Sequence, residues 1–121
     1  MNKVILIVED DAKNMKLFQD LLQANGYSTL EASNGKVGVE IVKSSRPDLV
    51  LMDIMMPVMN GIDAIKAIKA DIGTQKIPVI ALTSFALPDE KKRISESGCD
   101  GYMMKPIRIK ALLKMIGNYL A

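Results

Sequence analysis

The sequence contains no histidine and no tryptophan, and only one cysteine among its 121 residues. Without histidine, the common zinc sites and the Ser-His-Asp and Cys-His catalytic arrangements are excluded. With Cys99 as the single cysteine, no disulfide can form within the chain, which fits a reducing compartment. We interpret Cys99, which lies beside Gly98, as a small buried residue rather than a reactive thiol.

Long hydrophobic runs are also missing from the sequence. The longest, Val4 to Val8, has the length of a strand and is far shorter than a membrane span. Acidic residues follow this run directly, where a signal peptide would have a cleavage site of small residues. We therefore expect a cytoplasmic protein that does not bind membranes.

Neither sign of charge dominates, since 16 basic and 14 acidic residues give a net charge of +2. The one basic cluster, Lys91 to Arg93, directly follows Asp89 and Glu90, a pattern typical of a solvated helix face. The sequence therefore gives no support for nucleic-acid binding, and direct DNA binding would need an element that these residues lack.

What remains is the composition of a globular domain, with 49% hydrophobic and 25% charged residues. Short apolar runs alternate five times with segments of helical periodicity, which predicts a doubly wound α/β fold around a five-stranded parallel sheet. The predicted strands are 3–8, 27–32, 49–52, 77–82 and 100–104. The predicted helices are 14–25, 35–44, a segment opening at Asn60-Gly61, 88–98 and 109–120.

Polar side chains collect at the predicted carboxyl ends of these strands. The segment Pro47 to Pro57, P-D-L-V-L-M-D-I-M-M-P, places Asp53 where a buried strand runs out into a loop. Open α/β sheets bind their ligands at this edge. The other polar residues expected there are Glu9, Asp10 and Asp11 after the first strand, Thr83 and Ser84 after the fourth, and Lys105 after the fifth.

Carboxylates this close together repel one another unless a cation neutralises them or one of them takes up a proton. Mg²⁺ removes the conflict because it binds a few carboxylates and keeps waters or phosphate oxygens in its other positions. A carboxylate beside Mg²⁺, with a lysine and a hydroxyl in reach, can accept a phosphoryl group by in-line attack. Taken singly, each of these residues could be a turn former, a helix cap or a surface charge. Their convergence on one edge indicates a phosphoryl-transfer site.

These residues match a known family over the full length of the chain. The sequence resembles the receiver domain of two-component response regulators in the motifs V-E-D, L-M-D-I-M-M-P, A-L-T-S and G-Y-M-M-K-P, one at each of the first, third, fourth and fifth strands. The resemblance implies a flavodoxin-like (βα)5 fold with strand order 2-1-3-4-5, in which residues 1–121 form one receiver domain without an output domain. The stretches N-M-K-L-F, T-S-F-A and K-P-I are most similar to bacterial stand-alone receivers.

The resemblance implies that Asp53 is the phosphoacceptor and a ligand of the Mg²⁺ cofactor, which Mn²⁺ could replace. Asp10 would bind the ion directly, Glu9 largely through water, and Met55 through its backbone carbonyl. Asp11 lies outside this set, and we interpret it as the residue that starts the first helix.

The same resemblance gives roles to residues at the last two strands. Thr83 and Lys105 would each bind an oxygen of the phosphoryl group, and the Lys105–Pro106 bond would be cis. On phosphorylation Thr83 would move toward the new anion and Tyr102 would turn inward behind it, a shift between existing conformations. The alternative for Tyr102 is an ordinary half-buried strand aromatic.

The implied function is a single-domain response regulator. It would take its phosphoryl group from a phosphohistidine on a histidine kinase or a histidine phosphotransfer protein, and would itself catalyse the transfer and a slow autodephosphorylation. In the family that this sequence resembles, the positions of Met55 and Phe85 tune the access of water to the acyl phosphate. An effector protein would bind the surface formed by the fourth helix, fifth strand and fifth helix.

The alternative functions explain fewer of these sequence features than a response regulator does. A phosphohydrolase of the haloacid dehalogenase type would need a second aspartate two residues after the nucleophile, where this chain has Met55. The complete set of acidic residues, hydroxyl and lysine argues against a receiver that signals without phosphate, and a flavodoxin-like cofactor carrier shares the fold alone. A phosphorelay intermediate or phosphate sink stays open, because the sequence does not show whether the phosphorylated form binds an effector.

Overall fold

The computed structural model describes residues 2–56, 59–84 and 88–120, and within these ranges five strands alternate with five helices. The strands are β1 (Val4–Val8), β2 (Ser28–Ala32), β3 (Leu49–Asp53), β4 (Val79–Thr83) and β5 (Gly101–Met104). The helices are α1 (Ala12–Ala24), α2 (Gly35–Ser45), α3 (Gly61–Ala70), α4 (Pro88–Glu96) and α5 (Ile109–Leu120). No helix in these ranges has the length and apolar character needed to cross a membrane.

All four strand pairings are parallel, and the strands lie in the order β2-β1-β3-β4-β5. The predicted fold class and strand order are confirmed. The central strands β1, β3 and β4 are almost continuously apolar because helices cover both faces of the sheet. Since the strands are parallel, their carboxyl ends meet at a single edge of the sheet.

Two hydrophobic cores lie on opposite faces of the sheet, because successive side chains of a strand point to opposite sides. One core joins strand residues such as Leu51 to Phe18 of α1 and Leu112 of α5. The other joins Val50 and its neighbours to α2, α3 and α4, with Ile94 as the buried residue of α4. The site edge is therefore framed by two helices on one side of the sheet and three on the other.

The starts of β4 and α1 differ from the predicted positions for reasons of hydrogen bonding. β4 begins at Val79, two residues after the predicted start at Ile77. Pro78 has no N–H to donate to the sheet, although its carbonyl accepts from the Val50 N–H at 2.9 Å. α1 begins earlier than predicted because the Asp11 side chain caps it, accepting from the backbone N–H of Lys13 at 2.8 Å. Asp11 therefore has the helix-starting role that the sequence indicated.

Cys99 lies between α4 and β5 and is partly buried. Its thiol donates to the carbonyl oxygen of Ile94 at 3.3 Å, and its side chain packs against the second core. Burial raises the pKa of the Cys99 thiol, which disfavours the reactive thiolate. This environment supports a packing role for the cysteine.

Lys69 of α3 ties together three segments at the amino-terminal end of the sheet. Its ammonium donates to the carbonyl oxygens of Gln75 at 3.0 Å and Ile77 at 2.7 Å, and pairs with Asp100 at 2.7 Å. The same Asp100 oxygen accepts from the Val79 N–H at 2.8 Å. The Lys69 side chain is only 15% exposed, and its bond to the Ile77 carbonyl is partly buried.

We expect Lys69→Met to lower the free energy of unfolding by about 2 kcal/mol, because two carbonyl oxygens lose their ammonium donor and Asp100 loses its ion pair. Urea denaturation would measure the change. Lys16→Met is the matched control, since Lys16 pairs with Asp20 at 3.4 Å and both side chains are exposed to solvent. Loss of such an exposed pair should cost no more than about 0.5 kcal/mol. Equal losses of unfolding free energy in the two variants would contradict a stabilising role for the Lys69 contacts.

Candidate functional site

The carboxyl ends of three strands bring together the acidic and basic side chains that the sequence predicted at this edge. The Lys105 ammonium, after β5, lies 3.4 Å from Asp53 Oδ2 and 3.9 Å from Glu9 Oε2. Carboxylate oxygens of Glu9, Asp10 and Asp53 all lie within 4.8 Å of one another. Thr83, the last residue of the neighbouring strand β4, is buried at the same edge.

Asp53 is the last residue of β3 and is only 3% exposed. Its position is fixed by the sheet, because the N–H of the next residue, Ile54, donates to the Leu82 carbonyl at 3.0 Å. Asp53 Oδ1 accepts from the Met55 N–H at 3.2 Å, while Oδ2 faces Lys105. The Met55 side chain is 55% exposed. The carboxylate is thus held in one orientation, with an ammonium beside one of its oxygens.

Gly61, the first residue of α3, packs directly on the backbone that carries Asp53. A Cβ at this position would lie 2.3 Å from the Asp53 carbonyl oxygen and 2.7 Å from Ile54 Cα. The Gly61 N–H donates to the Ile54 carbonyl at 3.0 Å. Only glycine permits this approach of a helix to the end of the strand. The first residue of α3 therefore packs against the main chain at Asp53 and Ile54 and helps to fix its position.

Glu9 is as deeply buried as Asp53, at 3% exposed. Its Oε1 accepts from the side-chain amide of Asn14 at 3.1 Å. Among the residues that the structure describes, Oε2 has no hydrogen-bond donor, and Lys105 at 3.9 Å is the cation paired with it. A buried carboxylate oxygen is thereby left facing the acidic cluster.

Burial raises the pKa of Glu9 to about 7, and the adjacent Asp53 acts in the same direction. The hydrogen bond from Asn14 and the charge of Lys105 lower the pKa of Glu9, but by less. One ammonium therefore does not neutralise this group of carboxylates. The donor set consists of two buried carboxylates and one exposed one, Asp10, and oxygen ligands of this kind suit Mg²⁺.

The remaining predicted residues have the following positions. The Lys105–Pro106 bond is cis, and the Lys105 N–H donates to the Thr83 carbonyl at 2.7 Å, which holds the lysine against β4. Tyr102 lies on β5 and is 44% exposed. Asp11 caps α1 and does not join the cluster, and Ser84 is exposed. Phe85 and Pro57 lie outside the described residues.

Comparisons with known proteins show the family. The response regulator receiver domain matches residues 5–117 of the sequence, so this chain belongs to the response regulator receiver family. It is 42% identical to the polar-differentiation response regulator DivK of Brucella anthropi, over 99% of this chain and 98% of that protein. The DivK protein of Brucella ovis is 41% identical over the same shares. The predicted likeness to stand-alone receivers is confirmed.

Solved receiver structures have the same fold. The receiver domain of a signal transduction histidine kinase from Syntrophus aciditrophicus has a TM-score of 0.93 and is 32% identical, over 98% of this chain and 89% of that one. The receiver domain of a sensor histidine kinase from Pseudomonas aeruginosa has a TM-score of 0.92 and is 28% identical, over 99% and 98%. That second structure holds a magnesium ion coordinated in its active site cleft.

Sequence reasoning did not anticipate the contributions of Asn14 and Gly61. Asn14 is the third residue of a helix that starts just after the acidic pair, and helical side chains lean toward the amino terminus. That position could have indicated a contact with Glu9. For Gly61, the Asn60-Gly61 pair correctly predicted the start of a helix, but the contact with Asp53 depends on tertiary packing that a local motif does not encode.

Proposed function

We propose that this protein is a single-domain response regulator that accepts a phosphoryl group on Asp53 in a Mg²⁺-dependent reaction. The donor is a phosphohistidine on a histidine kinase or histidine phosphotransfer protein, and the output is phosphorylation-dependent binding of another protein. The observation that carries the proposal is the geometry around Asp53. A buried carboxylate has an ammonium at 3.4 Å and two further carboxylates within 4.8 Å.

The chain's own residues account for the proposed metal site. Asp10 would hold Mg²⁺, or Mn²⁺ in its place, directly, together with Asp53 and the backbone carbonyl of Met55, and Glu9 would act largely through water. When bound, the ion neutralises negative charge on the carboxylates and on the transferring oxygens. The exposure of Asp10 leaves one side of the cluster open, which is where an entering phosphodonor would approach.

The transfer itself depends on three side chains. An oxygen of the Asp53 carboxylate attacks phosphorus in line, the new P–O bond forms, and the P–N bond to the donor histidine breaks. The Lys105 ammonium donates to one phosphoryl oxygen and the Thr83 hydroxyl to another, so that negative charge on the transferring group is stabilised. The burial of Asp53 limits the access of water to the acyl phosphate.

An apolar groove beside the site supports docking of a protein donor. It lies between α1 and the segment after β5, has a volume of about 290 Å³, and adjoins Lys105. Its walls are formed by Leu17, Phe18, Leu21, Pro106, Ile107 and Ile109. Leu17 and Ile109 are 61% and 50% exposed, so the groove presents a contiguous apolar surface of the kind that partner proteins bind.

A second surface supports an effector site that responds to phosphorylation. Tyr102 and Met104 on β5 and Tyr119 on α5 are exposed, and α4 buries only Ile94 among its described side chains. Thr83 links this surface to the phosphoryl site, because its carbonyl accepts from the N–H of Lys105, the residue that follows β5. Movement of Thr83 toward the phosphoryl group would leave Tyr102 free to turn inward, and the altered surface would then bind the effector.

Incubation with phosphoramidate and Mg²⁺ tests the proposed acceptor, because this small donor carries the same P–N bond as phosphohistidine. We expect a phosphorylated band on phosphate-affinity electrophoresis with the unaltered protein and none with Asp53→Asn. Asp63→Asn is the matched control, since Asp63 is exposed on α3 and should leave the band unchanged. A band that persists in Asp53→Asn would overturn the assignment of the acceptor.

A phosphorelay intermediate or phosphate sink is the alternative, and it shares the acceptor chemistry. An effector-binding switch and a relay or sink differ in what the phosphorylated protein does next. A partner that binds it more tightly than the unphosphorylated form, and that loses this preference with Tyr102→Ala, identifies a switch. Rapid return of the phosphoryl group to a phosphotransfer histidine, without such a partner, identifies a relay or sink.

A further inference from the structure

We propose that Asn14 is a positioning residue for the metal site, in that its side-chain amide orients Glu9 so that the free carboxylate oxygen faces Asp53 and Lys105. The inference deepens the proposed function and rests on it. Asn14 lies in α1, outside the acidic pair, and the proposed reaction gives it no other role.

The contact is specific to one oxygen of a buried group. Asn14 Nδ2 donates to Glu9 Oε1 at 3.1 Å, and the Glu9 residue is 3% exposed. Because Oε1 is occupied, Oε2 is the oxygen directed to the cluster, where it lies 3.9 Å from the Lys105 ammonium and has no hydrogen-bond donor among the described residues. Asn14 thereby determines which face of the carboxylate is available to a ligand.

Both ends of this contact are held by the backbone. The Glu9 N–H donates to the Ala32 carbonyl at 3.0 Å, which fixes the glutamate at the end of β1. Asp11 caps α1, with Oδ1 accepting from the backbone N–H groups of Lys13 and, at 3.4 Å, of Asn14. The cap sets the first turn of the helix, and that turn determines where the Asn14 amide lies relative to Glu9.

Residues that hold a metal ligand by hydrogen bonding affect metal affinity without touching the ion. Loss of the Asn14 amide leaves the Glu9 carboxylate free to rotate and removes its donor. Changes of this type cost roughly 10- to 100-fold in metal affinity. Since Glu9 would act on Mg²⁺ largely through water, we expect the lower end, an increase of about tenfold in the Kd for Mg²⁺ with Asn14→Ala.

The test is isothermal titration calorimetry of MgCl₂ into the unaltered protein, Asn14→Ala and Asn14→Gln. The glutamine variant keeps an amide donor and should recover a large part of the lost affinity, which a purely structural role would not predict. Gln23→Leu is the matched control: Gln23 is also on α1 and its side-chain amide donates to the uncharged hydroxyl of Thr29 at 2.9 Å. This control should bind Mg²⁺ with unchanged Kd.

The Kd of Asn14→Ala decides the proposal. A value within twofold of the unaltered protein, or a change no larger than that of Gln23→Leu, overturns it. If Asn14→Ala does not fold, Asn14→Leu replaces it under the same criterion. If the unaltered protein binds Mg²⁺ and is phosphorylated while the variant binds equally well, the inference fails and the proposed function stands. If the unaltered protein binds no Mg²⁺, both fail.

Discussion

Replacing Gly61 with alanine is expected to lower the free energy of unfolding by about 3 kcal/mol or more, the upper range for forcing an atom into a packed interior. The added Cβ would lie 2.3 Å from the Asp53 carbonyl oxygen and 2.7 Å from Ile54 Cα. Both neighbours are backbone atoms in or next to a central strand, so neither can move aside as a flexible side chain could. The strain must displace either α3 or the strand end that carries Asp53.

The matched control for this substitution is Gly117→Ala. Gly117 lies in α5, and a Cβ there would have no atom within 4 Å. Alanine favours helix by up to about 1 kcal/mol over glycine, so this variant should be as stable as the unaltered protein or more stable. Urea denaturation of both variants measures the difference. A Gly61→Ala protein as stable as Gly117→Ala would contradict the close packing of α3 on the site.

The second large effect concerns the pH dependence of stability without metal. Burial raises the pKa of Glu9 from 4.5 to about 7, so between these values the folded protein holds a proton that the unfolded chain has released. The Glu9 contribution to stability therefore falls as the pH rises from about 4.5 to about 7 and is constant above that. A shift of this size corresponds to roughly 3 kcal/mol.

Glu9→Gln removes this contribution, because glutamine does not titrate. In the presence of EDTA, we expect the variant to be more stable than the unaltered protein at pH 8, and the difference to shrink toward pH 5. Denaturant unfolding at both pH values measures it. Glu40→Gln, at an exposed position of α2, should keep the pH dependence of the unaltered protein. A Glu9→Gln protein with the same pH dependence as this control would show that Glu9 is not the group responsible.

Without metal, raising the pH lowers the contribution of Glu9 to the stability of the folded protein. Bound Mg²⁺ should offset this loss. Metal binding requires deprotonated ligands, so the stabilisation that MgCl₂ gives should increase from pH 5.5 to pH 8. The raised pKa of Glu9, about 7, places this change within that range. The pH profile therefore depends on the buried member of the acidic pair.

The sequence was sufficient to predict the order of elements and the residues of the site edge. Strands such as Leu49–Asp53 are short apolar runs bounded by turn residues, and helices such as Ile109–Leu120 show clear helical periodicity. Once the sheet is parallel, residues at the strand ends must converge, so Glu9, Asp53 and Lys105 follow from position alone. No tertiary distance was needed for that step.

The supporting contacts could not be predicted in the same way. Lys69 pairs with Asp100, 31 positions away, and the pairing depends on how α3 and the segment before β5 pack. Gly61 is required by a contact between two elements rather than by a turn. The raised pKa of Glu9 depends on depth of burial, which a sequence pattern shows only in outline. These features depend on tertiary packing, whereas the strand-end residues depend mainly on topology.

Intact mass measurement after incubation with acetyl phosphate tests the central claim most directly. The samples are the unaltered protein with Mg²⁺, the same protein with EDTA, and Asp53→Asn with Mg²⁺. We expect a single phosphoryl adduct in the first sample and none in the other two. An adduct of equal yield in EDTA, or in Asp53→Asn, would contradict a Mg²⁺-dependent acceptor at Asp53.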